Sequence, residues 1–106
     1  MRFPLQGHYI YIWTYLVREG CITEFVREYG PDGAWVKLFR GAIGYLGTEL
    51  MRDRENPRRF VTIDRWESRE AFETFRTQKA AEFESIDRHC ERFTTEETHI
   101  GRFEPL

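Results

Sequence analysis

Hydrophobic and polar positions along the chain switch between a period of two and a period near 3.6, and each switch marks an element. The clearest case is RFVTIDRWESREAFETF, Arg59 to Phe75. Its first half alternates: Phe60, Thr62, Asp64 and Trp66 project to one face of a strand, Val61, Ile63 and Arg65 to the other. Ser68 ends the alternation and is placed to cap a helix, with Glu70 in the first turn, where its charge suits the helix dipole. Phe72 and Phe75 then open a helical apolar stripe. A strand apolar on both faces has to be covered on both sides, so the polar residues inside it are where function is sought.

The same reading extends over the rest of the chain. Residues 8–17 (HYIYIWTYLV) form a first strand, with Ile10, Ile12 and Leu16 on one face and Tyr9, Tyr11, Trp13, Tyr15 and Val17 on the other. Gly20 closes it. Ile22, Phe25, Val26 and Tyr29 make one helical stripe, stopped by Gly30-Pro31. Asp32 is expected to cap a short second helix whose buried face carries Trp35, Leu38 and Phe39. Tyr45 to Met51 reads as a strand, and the charged, proline-containing run from Arg52 to Arg59 as the solvated hairpin connection to the next. The spacing Phe72, Phe75, 79, Phe83, Ile86, Cys90 predicts one long helix from after Ser68 to about Arg92, its stripe interrupted by Lys79. Thr94 to Phe103 completes the set as a final strand, and the last three residues form a loose tail.

The order β-α-(α)-β-β-α-β predicts an α+β, ferredoxin-like βαββαβ domain, a four-stranded antiparallel sheet with helices on one face. The 106 residues suit one domain with its core from about His8 to Phe103. Helices cover one side of such a sheet, whereas these strands are apolar on both. Nine Phe, five Tyr and three Trp are also more aromatic surface than one small layer hides. Both observations predict a homodimer whose sheets pack face to face.

Composition narrows the partners. Sixteen basic and eighteen acidic residues leave a net charge of −2 with no basic stripe, so nucleic acid is not an expected partner. No apolar run reaches the roughly 18 residues of a membrane span, and the start MRFPLQGHYIYIW does not read as a signal peptide. Cys21 and Cys90 show neither CxxC nor Cys/His spacing, which fits reduced thiols in a cytoplasmic protein. GxGxxG, P-loop and HExxH patterns are absent.

Several ionisable and aromatic residues stand out. Asp64 shares a strand face with Thr62 and Trp66; buried without a cation it is a base near neutral pH, and paired with Arg40 or Arg102 it is a structural ion pair. Lys79 either holds an anionic substrate from inside the stripe or turns outward at a helix break. His99, in the last strand, has the intrinsic pKa of a general base, and the topology makes His8 its expected neighbour, although no third ligand in register supports a metal site. Trp66 is a pocket wall or plain core. The aromatic face of Tyr9, Tyr11, Trp13 and Tyr15 lines a cavity or fills a dimer interior, and periodicity does not choose.

Four pieces of the sequence, WVKLFR (Trp35–Arg40), GYLGTEL (Gly44–Leu50), IDRWES (Ile63–Ser68) followed by Phe72 and Phe75, and IGRF (Ile100–Phe103), resemble the antibiotic biosynthesis monooxygenase family of dimeric α/β-barrel proteins. The resemblance implies a homodimer with a pocket in each subunit between sheet and helices, where Trp66 matches a tryptophan that lines the pocket in several members. It further implies oxidation of a small aromatic substrate, a phenol, anthrone or quinol, by O2 without metal, flavin or other cofactor. Asp64, Lys79 and His99 are the expected catalytic residues, and Trp66, Trp35, Phe39, Phe75 and Tyr11 the expected substrate-binding ones. The alternative is a binding or interaction module of the same fold without catalysis. Haem-degrading members carry a histidine in the middle of the long helix; here Phe75, Arg76, Thr77, Gln78 and Lys79 stand there, which argues against haem degradation.

Overall fold

A computed structural model describes residues 8–106; the first seven residues of the stretch read above for a signal peptide lie outside the described residues. The elements follow the predicted order: β1 (Tyr9–Val17), α1 (Ile22–Tyr29), α2 (Ala34–Arg40), β2 (Tyr45–Arg52), β3 (Arg59–Trp66), α3 (Arg69–Gln78), α4 (Ala80–Cys90), a single 3-10 turn (Glu91–Phe93) and β4 (Thr94–Phe103). The strands form one antiparallel sheet in the order β2-β3-β1-β4, the ferredoxin-like arrangement. None of the helices among the described residues is long and apolar enough to cross a membrane.

The strand alternation sorts the two faces as read from sequence. Inward, toward the helices, point Tyr9, Tyr11, Tyr15 and Val17 of β1 and Phe60, Thr62, Asp64 and Trp66 of β3, all buried. Phe25, Tyr29, Trp35, Phe39, Phe75 and Cys90 descend onto them from the helices. The rings meet mostly edge-on or tilted, the arrangement that opposes a positive ring edge to a negative ring face: Trp66 touches Phe39, Tyr45, Phe72 and Phe75 with centroids 5.2–5.8 Å apart. On the outer face Ile10, Ile12, Val61 and Ile63 are half-buried, and Met51 and Phe103 are exposed.

Local signals set the helix boundaries, with two corrections. Ser68 caps α3 as expected, its Oγ accepting from the Ala71 N–H at 3.1 Å. Asp32 does not cap α2: the chain enters that helix through Gly33, in extended conformation and without a side-chain cap. The long helix is two helices. Lys79 sits between them at φ −114° and ψ 26°, outside helical geometry, and its exposed ammonium pairs with Glu82 at 3.6 Å. The apolar stripe continues across the break because Phe75 and Phe83 keep ring contact at 6.3 Å.

Gly44 leads into β2 at φ +91°, a left-handed conformation that favours glycine. A β-carbon there would lie 2.6 Å from that of Ala71 on α3.

Candidate active site

Register places the site. Asp64 on β3 lies opposite Thr48 on β2 and Tyr11 on β1, and Tyr11 lies opposite Arg102 on β4, so Thr48, Asp64, Tyr11 and Arg102 form one row across the sheet. The neighbouring row runs Leu50, Thr62, Trp13 and His99. Thr48 reaches its position because the β2–β3 register shifts between Tyr45 and Gly47. Above these rows, between sheet and helices, is a cavity of about 450 Å³, within the range of roughly 300–1,000 Å³ usual for small-molecule sites. Tyr9, Tyr11, Trp35, Phe39, Phe72 and Phe83 supply most of its aromatic wall.

Asp64 is the one acid among the buried polar residues of this core, which otherwise number Thr62 and Thr94. The ion pair with Arg40 or Arg102 is not formed. Arg40 donates instead to the Pro31 carbonyl at 3.1 Å, and Asp64 has no ion-pair partner among the described residues. Its fixed contact is the Thr48 hydroxyl, which donates to Oδ1 at 2.5 Å. Because that proton is committed to Asp64, the Tyr45 hydroxyl, 2.7 Å from Thr48 Oγ1, is the donor of its pair. Burial pushes the Asp64 carboxyl up to about 7, the Thr48 hydrogen bond opposing the shift. Burial likewise raises the hydroxyls of Tyr11, Tyr15 and Tyr29, so these stay protonated.

At its other end, toward β4, the cavity is bounded by charges of both signs: Arg76, Asp87, Glu97 and Arg102, with His99 beside them. Arg76 lies over the Phe83 ring at 3.8 Å. Glu97 accepts from the Thr94 hydroxyl at 3.1 Å, and partial burial raises both its carboxyl and that of Asp87.

Of the residues singled out in the sequence, Asp64, His99, Trp35, Phe39 and Tyr11 line the cavity. Lys79 does not, since the helix break turns it outward. Trp66 and Phe75 are buried in the core beneath the wall, Trp66 completely and with its indole N–H unpartnered, and neither belongs to the lining. His99 packs on Trp13 at 5.0 Å, not on His8, which precedes Tyr9 and lies about five residues, roughly 16 Å, further along β1. Thr48, Tyr29, Arg76, Asp87 and Glu97 were not anticipated. Thr48 becomes visible only once the strand register is known, and the others on elements whose facing residues the pattern left open.

The fold is a ferredoxin-like domain with an aromatic cavity and a buried carboxylate on its wall. Its family is explicit in sequence: the chain belongs to the antibiotic biosynthesis monooxygenase family, whose profile matches residues 9–86. No curated protein matches the chain. Among solved structures it is similar to SnoaB, a cofactor-independent oxygenase from Streptomyces nogalater, at 19% identity over 94% of each chain with a TM-score of 0.74. It is similar also to a Bordetella bronchiseptica protein bearing the same family designation, at 22% identity over 95% of this chain and 99% of that one (TM-score 0.72). A third is PA3566 from Pseudomonas aeruginosa, at 20% identity over 98% and 99% (TM-score 0.71). At these identities the likeness speaks for the fold.

Proposed function

We propose that the protein is a cofactor-independent monooxygenase that oxidises a small aromatic phenol, anthrone or quinol with O2 in this cavity. The observation that carries the reading is Asp64: a carboxylate buried without a counter-ion at the edge of an aromatic cavity, one oxygen held by Thr48 and the other left for a ligand. Raised to about 7, it is better matched to a phenolic proton than an ordinary carboxylate is. Family membership and the likeness to SnoaB support the same chemistry.

The reaction closes on its own atoms. Asp64 takes the phenolic proton, and the phenolate passes one electron to O2. The resulting superoxide and phenoxyl radical join at a ring carbon, and the peroxide takes the proton back from Asp64–H. Cleavage of the O–O bond with loss of the ring hydrogen leaves a quinone oxygen and one water. The substrate supplies all four electrons, so the stoichiometry calls for no outside reductant. The aromatic wall keeps water from the peroxide.

Oxygen uptake with chelator-treated protein and a panel of anthrones and hydroxynaphthalenes tests the proposal. Uptake by the wild type with loss in Asp64→Asn is expected; binding of the panel without uptake overturns catalysis in favour of a ligand-binding module.

The half-buried outer face of Ile10, Ile12, Val61 and Ile63 supports a homodimer closed sheet to sheet. Ile12 and Ile63 are register partners at its centre. Sedimentation at micromolar concentration is expected to show a dimer that Ile63→Lys dissociates; a monomeric wild type overturns the assembly. The free thiols of Cys21 and Cys90 support a cytoplasmic setting.

A further inference from the structure

We infer that Tyr11 is a catalytic residue, the hydrogen-bond donor that holds the substrate's phenolic oxygen as an oxyanion opposite Asp64. The inference rests on the phenol binding proposed above, but not on its reaction with oxygen.

Tyr11 and Asp64 are direct register partners on β1 and β3, both are buried, and both line the cavity. Opposed side chains on one face start about 5 Å apart at Cβ. No hydrogen bond joins the two: the Asp64 carboxylate is bonded by Thr48, and it acts on the Tyr11 hydroxyl only through its charge. Neighbouring hydroxyls are already committed. Tyr15 pairs with Thr62 at 2.9 Å, Tyr45 with Thr48 at 2.7 Å, and Thr48 with Asp64. The Tyr11 hydroxyl has no hydrogen-bonded acceptor among the described residues. Its ring is packed edge-on against Phe72 at 4.9 Å and Tyr9 at 5.9 Å, which restricts the side chain within the cavity lining. Tyr9 also lines the cavity, but its β3 partner is Trp66, which offers no base.

The electrostatics agree with the geometry. Burial first, and the Asp64 charge second, hold the Tyr11 hydroxyl in its protonated form, while the nearby Trp66 indole N–H acts the other way. Tyr11 therefore remains a neutral donor while Asp64 exchanges a proton. The other charged or titratable groups facing it are Arg102, its β4 register partner, and Tyr9 and Tyr15 along its own strand. A phenolic oxygen seated between Asp64 and Tyr11 loses its proton to the first and keeps a hydrogen bond from the second. That bond strengthens as negative charge develops, the condition for lowering a barrier rather than merely binding.

The experiment uses 4-nitrophenol, whose ionised form absorbs at longer wavelength, and the full chain carrying Asp64→Asn, so that no carboxylate competes for the proton. Adding Tyr11→Phe to this protein is expected to lower the ionisation constant of the bound nitrophenol about tenfold. An unchanged constant overturns the inference. If the double variant fails to fold, a series of para-substituted phenols bound as anions to Asp64→Asn decides: tighter binding of the more basic phenolates is expected, and affinity independent of basicity overturns it. In otherwise wild-type protein, Tyr11→Phe is expected to lower kcat about 10²-fold with KM little changed. Because the nitrophenol assay involves no oxygen, a phenolate shift without oxygen uptake would retain the donor and discard the oxygenase, whereas uptake without the shift would do the reverse.

Discussion

The two ends of the cavity hold ionisable groups under opposite conditions. At the β2–β3 end a single carboxylate, Asp64, is covered by aromatic rings and tied by one hydroxyl, with no cation in reach. At the β4 end Glu97, Arg102, Arg76 and Asp87 are exposed, carry both signs and stand beside solvent. Burial raises the carboxyls at both ends, and the Asp64 shift is the large one. Access to water sets the difference: partial burial and like-charged neighbours raise the exposed acids, whereas Asp64, covered and without a counter-ion, is raised to about 7, where it is a base usable at neutral pH. Under the function proposed above, proton transfer belongs to the dry end and recognition of polar substituents to the wet one.

The sharpest test removes the dry-end charge. Asp64→Asn is expected to lower kcat by about 10²–10⁴-fold, the usual worth of a general base. The wild-type kcat/KM should rise with pH through about 7 and then level, and that rise should vanish in the variant. Stability should move the other way. Between 3.8 and about 7 the folded chain holds a proton that the unfolded chain releases, so Asp64's contribution is full below 3.8, falls as pH rises through that window and is lost above it. Asp64→Asn should therefore be more stable than wild type at pH 8 by on the order of 2–4 kcal/mol, and indistinguishable in acid, by denaturant titration.

Phe39→Ala, which opens the wall between Trp35, Trp66 and Phe75, should cost about 3–5 kcal/mol in the same measurement. Thr48→Val removes the hydrogen bond that favours ionised Asp64, so the pH–rate midpoint should shift upward by about one unit. At the wet end, His99→Gln should change kcat less than about tenfold; a loss equal to that of Asp64→Asn would move proton transfer to β4. Smallest of all, Lys79→Ala should alter stability by less than about 0.5 kcal/mol and leave activity unchanged, because its one ion pair is exposed.

Most of the architecture was legible because alternation and stripe spacing are strong signals in a chain this rich in aromatics. Alternation alone separates residues 60–66 into their inner and outer faces, Ser68 is a cap by residue type and position, and β4 spans Thr94–Phe103, the bounds its pattern predicts. Of the two readings of Lys79 the outward turn at a helix break is the one formed, whereas the single long helix is not, because a helical stripe counts positions and does not register a one-residue break that keeps Phe75 and Phe83 in phase. Asp32 misled because its neighbour Gly33 enters the helix without a side-chain cap. The site was half visible. Asp64 stood out as an acid in an apolar strand, but its lack of a cation depends on where Arg40 and Arg102 point, which is tertiary information. Trp66, pocket wall or plain core by its pattern, is core, because Phe39, Tyr45, Phe72 and Phe75 close around it and leave it outside the lining.

The contact between Gly44 and Ala71 reaches further than its size suggests. It joins the residue just before β2, four residues before Thr48, to the first turn of α3, one residue before the ring that steadies Tyr11. A methyl group at position 44 would act as a wedge, levering the helix from the sheet where floor and roof of the chamber are hinged. Gly44→Ala is thus a remote change by distance and a direct one by leverage, loosening the clasp that sets how thick a guest the chamber admits.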